Sequence, residues 1–492
     1  MSALKKIRIV GAVLIGIQFI LSVLIVYFVI SLKAIPVKHS LLLAVILGIM
    51  AIVEMLMLLK KQSGIAAIII SVLFIGILIY GIYIVRTTDK ALESVTGNKV
   101  EYEQINVYVK KDDPATSLSE AVQKNYYFGY VDNSNDESID ATVKEINDSH
   151  NTNILTQKYA SIIDLAAAMD KHEVQAIITS TGMIDVLNSS EEYPNYGDNL
   201  KIIMEHEVEL EVNKNEAEEK KTIDDNRYSI YISGIDTYGS VTLKSRSDVN
   251  IIAVMNEVTH TILLISTPRD YYVYLSNSGS TKDKLTHAGL YGIEVSMDTL
   301  EMIYDTDLTY YVRMNFSGFE GIIDKLGGVD VHSDYTFSFD EYQYYEGENH
   351  LDGRGALMFA RDRTSFAGGD RQRGENQMQV IKAVFSKLMS SQMLANYSDI
   401  MDELSNCFQT NMSKSQIGQF VQDQLDSGKE WKVLTFSVNG GDSESYCYSL
   451  GGNAYVMVPF QEDLDFANKL IRRMMADENI TQQEIDAYRE TE

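Results

Sequence analysis

Five of the chain's fourteen arginines fall within twenty residues, from Arg354 to Arg373. A guanidinium group stays charged and presents a planar fork of donors that matches phosphate oxygens, so clustered arginines suit a phosphate or diphosphate. Flanking glycines would let the backbone approach such a ligand closely. Surface ion pairs with the abundant aspartates and glutamates are the alternative, but the density of the cluster favours an anion site.

Two aspartates further upstream, Asp236 and Asp248, stand at the ends of segments with the pattern of β-strands. A pair of carboxylates at the mouth of a sheet can hold Mg²⁺, which prefers hard oxygen ligands and commonly bridges to substrate phosphates. Aspartates at loop ends also cap turns, and for this pair taken alone that ordinary role is the better interpretation.

Two short blocks add further cations. Pro268 ends an apolar strand, so Arg269 and Asp270 should emerge at the edge of a sheet, where ligands collect in open α/β folds. A Lys-Leu-Thr-His-Ala block begins at Lys284 and contains His287, which is either a general base or a group at a helix N-terminus. A single histidine is more often structural than catalytic.

Three apolar runs at about 9–32, 40–59 and 65–85 are each long enough to cross a bilayer as a helix. A cleaved signal peptide is the alternative for the first run, but its length and the two runs behind it favour a three-helix membrane anchor over residues 1–88. The distribution of lysine and arginine weakly favours an inside N-terminus, which places the rest of the chain outside. Glu54, inside the second run, is expected to snorkel to the interface rather than to pair with another helix.

The outer part carries nearly all of the net charge of −27. Binding to nucleic acid or to anionic lipid headgroups requires a broad basic face, so both are disfavoured. A polyanion would have to bind in a local basic pocket. Cys407 and Cys447 could form a disulfide in an oxidising compartment or remain two thiols, and their spacing does not decide between these.

Residues 99–212 predict a small α/β accessory domain, with strands at 126–131 and 174–178 and helices at 138–147 and 161–169. They contain no metal, nucleophile or phosphate motif, so this domain is interpreted as a packing or partner-binding module. The run from Glu205 to Asp225 is dense in charge, as solvated linkers and exposed helix faces usually are, and the linker itself is placed at 213–226.

Residues 227–475 predict a second α/β domain, followed by a tail over 476–492. Alternating patterns predict a strand at 228–234, a hairpin at 249–255 and 261–266, and a strand at 309–314. Predicted helices cover 296–304, with Ser296 as N-cap, then 317–326, 354–361 with Asp352 as N-cap, and about 372–390.

Taken in order, these blocks resemble the LytR–CpsA–Psr family. The resemblance is strong over 227–390 and weaker to about 475, and three membrane spans followed by an accessory domain are similar to its capsule-associated CpsA branch. It implies an α-β-α catalytic domain with a central mixed sheet. The matching blocks are Ser-Gly-Ile-Asp ending at Asp236, Arg-Ser-Asp at 246–248, Ser-Thr-Pro-Arg-Asp at 266–270, Lys-Leu-Thr-His-Ala at 284–288, Phe-Ser-Gly-Phe at 316–319, Asp-Lys-Leu-Gly-Gly-Val-Asp at 324–330, and the segments around Arg361, Arg363, Asp370, Arg373 and Gln377.

The resemblance implies a Mg²⁺-dependent phosphotransferase that moves a capsule or teichoic-acid-like polymer from polyprenyl pyrophosphate to peptidoglycan and releases polyprenyl phosphate. Asp236 and Asp248 correspond to the metal ligands, and Asp370 to a residue that holds the arginines in place. The implied catalytic group is Asp236, Asp248, Arg269 and Asp270. The implied pyrophosphate clamp consists of Arg246, Arg269, Lys284, Arg361, Arg363, Arg373 and Gln377.

One position departs from the family pattern: Asn376 stands where a second arginine of the last segment is expected. The site either loses a charge there or receives one from Arg371. The general base is expected to be Asp248 or Asp270. The expected location is the plasma membrane of a Gram-positive-type bacterium, with the catalytic domain outside and no nucleic acid bound. A non-catalytic lipid-binding scaffold and a polyprenyl pyrophosphatase are the alternative functions.

Overall fold

The computed structural model contains two compact units. The first holds the described residues up to Gly97 together with 387–388 and 412–430, and the second holds the others. The structure describes residues 3–32, 35, 37–97, 100–132, 137–211, 226–235, 240–366, 370–388 and 407–489. All of the predicted linker at 213–226 except Asn226 lies outside these residues, and so does Asp236, a predicted metal ligand.

The first unit contains three long apolar helices, which are α1 (Ala3–Ser31), α2 (Val37–Met57) and α3 (Lys61–Gly97). The segments Leu4–Ser31, Val37–Met57 and Lys61–Lys90 are each long and apolar enough to cross a membrane. This confirms the prediction of three apolar helices suited to an anchor. A later helix of the same unit, α12 in chain order (Lys414–Ser427), begins with a capping box between Ser413 and Gln416.

Glu54 joins the three anchor helices. Its Oε2 accepts a hydrogen bond from Ser71 Oγ of α3 at 2.8 Å, and its Oε1 accepts one from Gln18 Nε2 of α1 at 3.4 Å. Only 2% of Glu54 is exposed. The expectation that this side chain snorkels to the interface was wrong, because polar groups inside an apolar helix bundle gain more from partners on neighbouring helices.

The second unit opens with a five-stranded sheet in the order β3-β2-β4-β1-β5. Strand β2 is parallel to both of its neighbours, β3 and β4, whereas β1 is antiparallel to β4 and β5. The strands are β1 (Val100–Lys110), β2 (Tyr127–Val131), β3 (Leu155–Tyr159), β4 (Ala176–Ser180) and β5 (Leu200–Glu211), and the helices are α4 (Leu118–Gln123), α5 (Glu137–His150), α6 (Ile162–Asp170) and α7 (Thr181–Asn188).

Most of the predicted elements in this region are confirmed, but the charged run was misjudged. Residues 205–211 belong to the edge strand β5 rather than to a linker or helix face. Glu205, Glu207 and Glu209 point to solvent on alternate positions, while Val208 is buried. An edge strand with one solvent-exposed face contains this mixture of charged and apolar residues. Its composition is therefore similar to that of a linker.

A six-stranded mixed sheet forms the centre of the rest of the unit, in the order β16-β11-β6-β7-β8-β17. The β6–β11 and β8–β17 pairs are parallel, and the other pairs are antiparallel. This confirms the predicted central mixed sheet. The strands are β6 (Arg227–Ile235), β7 (Ser247–Asn256), β8 (Thr261–Thr267), β11 (Tyr310–Asn315), β16 (Phe408–Thr410) and β17 (Lys432–Ser437).

Four short antiparallel pairs surround this sheet. They are β9 (Tyr272–Tyr274) with β10 (Lys282–Lys284), β12 (Val329–Ser333) with β15 (Gly347–Leu351), β13 (Phe337–Phe339) with β14 (Tyr342–Tyr344), and β18 (Gly440–Cys447) with β19 (Gly452–Pro459). The helices are α8 (Ile293–Tyr304), α9 (Phe316–Lys325), α10 (Gly353–Arg361), α11 (Asp370–Leu388), α13 (Gln461–Met475) and α14 (Gln482–Arg489).

Helices cover both faces of the mixed sheet. Alternate residues of its strands, such as Tyr231, Ile252 and Leu263, pack with α8, α13 and α14 in one core. Helices α10 and α11 lie on the other side and pack with α9 and the β12–β15 region in a second core. The predicted N-cap of α8 was wrong, because the helix begins at Ile293 and Ser296 lies inside it.

Helix α14 falls within the segment that the sequence assigned to a tail. The amide of Gln482 bonds to both backbone groups of Thr435 in the edge strand β17: its Oε1 accepts from the N–H at 2.9 Å, and its Nε2 donates to the carbonyl at 3.1 Å. Tyr488 stacks on Phe466 with the ring centroids 4.0 Å apart. The packed domain therefore extends to Arg489.

The helices of the first sheet share an apolar core with segments outside the strands of the mixed sheet. Ile162, Leu165 and Leu187 of these helices pack in the same cluster as Leu290, which precedes α8, and Leu450, in the turn between β18 and β19. All five of these side chains are fully or almost fully buried. The accessory region is therefore continuous with the rest of the unit in its packing.

Candidate active site

The site lies where several strands of the mixed sheet end. Strands β6, β8 and β11 finish at the edge where β7 begins, since Ile235 stands opposite both Asn315 and Ser247, and Thr267 stands opposite Asn250. Residues that follow three strands and precede a fourth must therefore come together. This is the physical reason why motifs far apart in the chain converge.

Asp248 occupies an irregularity in the ladder between β6 and β7. Gly234 pairs with Val249 and Ile235 pairs with Ser247, which leaves Asp248 as an extra residue without a counterpart on β6. A β-bulge of this kind redirects a side chain and often lies beside an active site. Here the carboxylate turns to the cavity described below, where its Oδ1 accepts from Thr286 Oγ1 at 3.1 Å.

A chain of ionic contacts runs through the site. Arg269 donates from Nη1 to Asp248 Oδ2 at 2.7 Å, and its Nε lies 3.5 Å from Asp270 Oδ2. Lys284 Nζ lies 3.2 Å from Asp270 Oδ1. All four side chains are at most 15% exposed. The carboxylates of Asp248 and Asp270 thus hold the two neighbouring cations in place at the edge of the sheet.

The carboxyl group of Asp270 is held in its charged form. Burial alone would raise its pKa, but the neighbouring Arg269 and Lys284 outweigh burial and hold the pKa below the ordinary aspartate value. A carboxylate with a lowered pKa is a weak general base. Asp270 is therefore better suited to positioning the two cations than to accepting a proton.

Asp283, next to Lys284 in the chain, is a second buried carboxylate. Its Oδ1 accepts from His287 Nδ1 and from the Lys284 N–H, both at 2.8 Å, and its Oδ2 accepts from the Ser449 N–H at 2.8 Å. Burial opposes ionisation, but His287 and Ser449 hold its pKa below the ordinary value. His287 is 3% exposed and does not line the cavity, so its role is structural.

Acid should destabilise the second unit through Asp270 and Asp283. Both have folded pKa values below the unfolded value of about 3.9. At pH values between the folded and the unfolded pKa, the unfolded chain binds more protons than the folded chain. The free energy of unfolding therefore rises with pH in this interval. The stabilisation is complete above about pH 5 and is lost as the pH falls through the folded pKa values.

Urea titrations followed by the fluorescence of Trp431, the chain's single tryptophan, should show a lower unfolding midpoint at about pH 3.5 than at about pH 6. Asp283→Asn should have a lower midpoint at the higher pH and a flatter pH dependence. An Asp283→Asn variant with the wild-type slope against pH would contradict the assignment.

Four of the clustered arginines lie on the helices α10 and α11, and Arg363 lies in the turn that follows α10. Asp352 caps α10, as predicted, by accepting from the Gly355 N–H at 2.7 Å. Arg361 ends that helix, with its guanidinium carbon 4.6 Å from the centroid of the Phe316 ring. Asp362 then accepts from the Thr364 and Ser365 N–H groups, which fixes the turn that carries Arg363.

The structure brings nearly all of the predicted site residues together. They line one cavity of about 970 Å³ between the sheet edge, α10 and α11. Asp236 lies outside the described residues, and Asp370 begins α11 with its side chain also outside them. The predicted residues that line the cavity are Arg246, Asp248, Arg269, Asp270, Lys284, Arg361, Arg363, Arg373 and Gln377.

The cavity is amphiphilic. The sequence did not single out its apolar lining, because residues of this kind also fill ordinary cores. The apolar residues that line it include Ile232, Ile235, Met314, Phe316, Phe319, Phe339, Leu357, Met358 and Ile381. Thr286, which bonds to Asp248, and Tyr455 were also missed, although Thr286 lies inside the Lys-Leu-Thr-His-Ala block.

The asparagine that departs from the family pattern does not face the cavity. Asn376 is 4% exposed, and its Nδ2 donates to the Phe359 carbonyl of α10 at 3.1 Å. It ties the two arginine-bearing helices together. Arg371 is exposed and does not line the cavity, so it does not replace the missing charge.

Cys407 and Cys447 are both buried and carry thiols rather than a disulfide. Burial raises the pKa of Cys447 to about 12. A thiol with so high a pKa is hardly ionised at neutral pH and is a poor nucleophile.

The donor set fits a hard divalent cation that takes few protein ligands. Among the residues that the structure describes, no three histidine, cysteine, aspartate or glutamate side chains are grouped to hold a metal. Mg²⁺ usually needs only one or two carboxylates, with phosphate oxygens and water completing the octahedron. Asp248 supplies one such carboxylate beside Arg269. Asp236 follows Ile235, the last residue of β6, in the sequence but lies outside the described residues.

Comparison with known protein families identifies the family of this chain. A model described as the LytR_cpsA_psr family matches residues 199–465, more than half of the chain, and the chain therefore belongs to this family. The match begins at the last strand of the first sheet and ends inside α13.

Two relatives carry the name polyisoprenyl-teichoic acid–peptidoglycan teichoic acid transferase TagU. The Bacillus cereus protein is 31% identical over 255 residues, which cover 52% of this chain and 81% of that protein. The Enterococcus faecalis protein is 33% identical over 211 residues, covering 40% and 69%. Among solved structures, Bacillus subtilis TagV is 26% identical with a TM-score of 0.44, covering 52% of this chain and all of that one. TagT bound to LI-WTA is 27% identical with a TM-score of 0.40, covering 52% and 94%.

Proposed function

We propose that this protein is a Mg²⁺-dependent phosphotransferase that attaches a glycopolymer to peptidoglycan. The donor would be a capsule or teichoic-acid-like polymer on polyprenyl pyrophosphate, and the released product would be polyprenyl phosphate. The observation that carries the proposal is the convergence of seven cationic side chains and Asp248 on one amphiphilic cavity. Relatives named as teichoic acid–peptidoglycan transferases support the same class of reaction.

The lining of the cavity matches the two ends of such a donor. Arg361, Arg363 and Arg373 offer charged forks for diphosphate oxygens on one side. Met314, Leu357 and other apolar residues supply a surface for the prenyl chain on another side. A soluble nucleotide or a sugar phosphate would leave this apolar surface uncovered.

The reaction follows from this arrangement. A hydroxyl of the acceptor attacks the phosphorus that bears the glycan, the bond from that phosphorus to the bridging oxygen breaks, and polyprenyl phosphate leaves. Phosphoryl transfer depends mainly on positioning and on neutralising charge, which the clamp residues supply. Mg²⁺ held by Asp236 and Asp248 would add charge neutralisation at the phosphates when bound. The proton of the attacking hydroxyl passes to a carboxylate at the sheet edge as the new bond to phosphorus forms.

The cellular arrangement is part of the proposal. Three membrane-spanning helices with the N-terminus inside would place the catalytic domain on the outer side of the plasma membrane, where peptidoglycan lies. Anchoring would also keep the cavity close to a donor that is itself confined to the bilayer. Cysteine labelling of exposed positions in whole cells distinguishes the two orientations.

The test is reconstitution of the full chain with lipid-linked donor, peptidoglycan and Mg²⁺. We expect polymer covalently linked to peptidoglycan and one polyprenyl phosphate released for each linkage. Removing Mg²⁺ with a chelator should abolish transfer, and adding Mg²⁺ back should restore it. Binding of polyprenyl pyrophosphate should weaken in Arg361→Ala, because Arg361 lines the cavity and, within the described part of the chain, its guanidinium forms no ion pair with a carboxylate.

Two outcomes would contradict the proposal. Release of polyprenyl phosphate without linked product, with acceptor present, would indicate a pyrophosphatase. Unchanged linkage in Asp248→Ala would remove the site from the chemistry and leave a lipid-binding scaffold as the better description.

A further inference from the structure

One wall of the cavity continues outward as the β18–β19 hairpin. Tyr455 of β19 lines the cavity and is still 45% exposed. The ammonium group of Lys284 lies 5.8 Å from the centroid of its ring. The residue thus belongs both to the phosphate-binding site and to the outer surface.

The outward side of this hairpin is polar and aromatic. Side chains alternate along a strand, so Asp442, Glu444 and Tyr446 of β18 point outward with Asn453 and Tyr455 of β19, and all five are exposed. We call these five residues the hairpin face. Glu444 stands opposite Tyr455 and Tyr446 opposite Asn453, which separates the two rings by about 7 Å along the strands.

The hairpin face is held firmly against the clamp. Asp283 precedes Lys284 and accepts the N–H of Ser449 in the hairpin turn at 2.8 Å. Tyr272 donates from its hydroxyl to the Tyr446 carbonyl at 2.8 Å, and the Tyr455 hydroxyl donates to Asp442 Oδ1 at 2.8 Å. A surface fixed in this way loses little conformational entropy when it binds a ligand.

We propose that the hairpin face binds the sugar backbone of the acceptor glycan. This inference rests on the proposed function and adds a binding site for its second substrate. Exposed tyrosine rings offer apolar faces to the C–H groups of a sugar, and carboxylate and amide groups bond to its hydroxyls. Asp442 and Glu444 repel phosphate, so the face suits a neutral saccharide rather than a polyanionic donor.

The position of the face explains how both substrates meet. A saccharide that stacks on Tyr455 has its edge at the mouth of the cavity, beside Lys284. The next ring, Tyr446, then contacts the glycan one step further from the reacting phosphate. The acceptor thus approaches over the hairpin while the lipid-linked donor occupies the cavity.

The test measures binding of the full chain to insoluble peptidoglycan stripped of attached polymers, with no donor present. Tyr446→Ala should raise the amount needed for half-saturation about three- to tenfold. Tyr446→Phe should bind like wild type, because the ring is kept. Tyr345→Ala is the matched control, since Tyr345 is 62% exposed and does not line the cavity. Glu444→Ala is a second variant on the same face, expected to weaken binding in the same direction.

The outcomes separate this inference from the proposed function. Wild-type affinity for peptidoglycan in both Tyr446→Ala and Glu444→Ala would overturn the hairpin face, even where transfer is intact. The hairpin face would also be overturned if the two variants bound peptidoglycan like wild type but bound a soluble phosphate-containing polymer more weakly. A wild-type chain that forms no linked product would instead refute the proposed transfer, while the binding assay would still decide the role of the face.

Discussion

Replacing Arg269 by alanine is expected to lower the rate of glycopolymer transfer by about 10²–10³-fold. Arg269 contacts Asp248 at 2.7 Å and Asp270 at 3.5 Å, and it lines the cavity. Its loss removes a cation from the phosphates and leaves two buried carboxylates with less positive charge between them. The pKa of Asp270 should then rise, because the charge of Arg269 is one of the influences that lower it.

Two controls sharpen this test. Arg269→Lys keeps the charge but loses the planar fork that reaches both carboxylates, so it should recover only part of the rate. Arg371→Ala removes an arginine from the same sequence cluster that is exposed and faces away from the cavity. The measurement is single-turnover transfer from lipid-linked donor to peptidoglycan. Equal losses in Arg371→Ala and Arg269→Ala would mean that overall charge, not the cavity, controls the rate.

Replacing Glu101 by alanine is expected to cost about 3–5 kcal/mol in the free energy of unfolding. Glu101 Oε1 accepts from Arg313 Nη1 at 2.8 Å and from the Ile293 N–H, at the start of α8, at 3.2 Å. Arg313 is 1% exposed and also donates from Nη2 to the Leu243 carbonyl at 2.7 Å. Without Glu101 a buried guanidinium loses its counter-charge, and α8 loses the acceptor at its N-terminus.

A double variant separates the cost of a broken pair from the value of an intact one. Glu101→Leu combined with Arg313→Met removes both charges and should be much more stable than Glu101→Ala alone, because the unpaired buried charge is gone. Urea titration followed by Trp431 fluorescence measures the difference. A double variant as unstable as the single one would show that the ion pair itself, rather than an orphaned charge, stabilises the unit.

The sequence predicted the general architecture because that information is local. Long apolar runs predict the anchor helices, and alternating segments predict β6, β7, β8 and β11. The site also followed from local blocks, since residues placed directly after or before strands must meet at one edge of a sheet. Arg269 was expected at a sheet edge because it follows an apolar strand, whereas Arg361 was predicted from the arginine cluster and the role of Asp248 from the family resemblance.

The contacts that could not be predicted from the sequence join residues that lie far apart in the chain. Glu101 and Arg313 are 212 residues apart, and Glu54 meets residues 36 and 17 positions away on other helices. No periodicity in one segment reveals such a contact. The bulge at Asp248 is a matter of register between two strands, and composition does not encode register.

The accessory region was interpreted as a module because no chemical motif lies in it. Shared packing around Leu165, Leu187 and Leu450 shows that its helices complete the same core as the β18–β19 hairpin. Leu450 and Leu187 each look like an ordinary core residue of a separate domain. Only the three-dimensional arrangement shows that both residues fill one interior.

The side chain of Gln482 has a consequence for the protein in concentrated solution or in a crowded envelope. An outer strand with open N–H and C=O groups can recruit a strand from another molecule and start aggregation. By occupying both backbone groups of Thr435, this amide protects the middle of β17 from such recruitment. A chain that ends before Gln482 would expose that edge and should self-associate more readily than the intact protein.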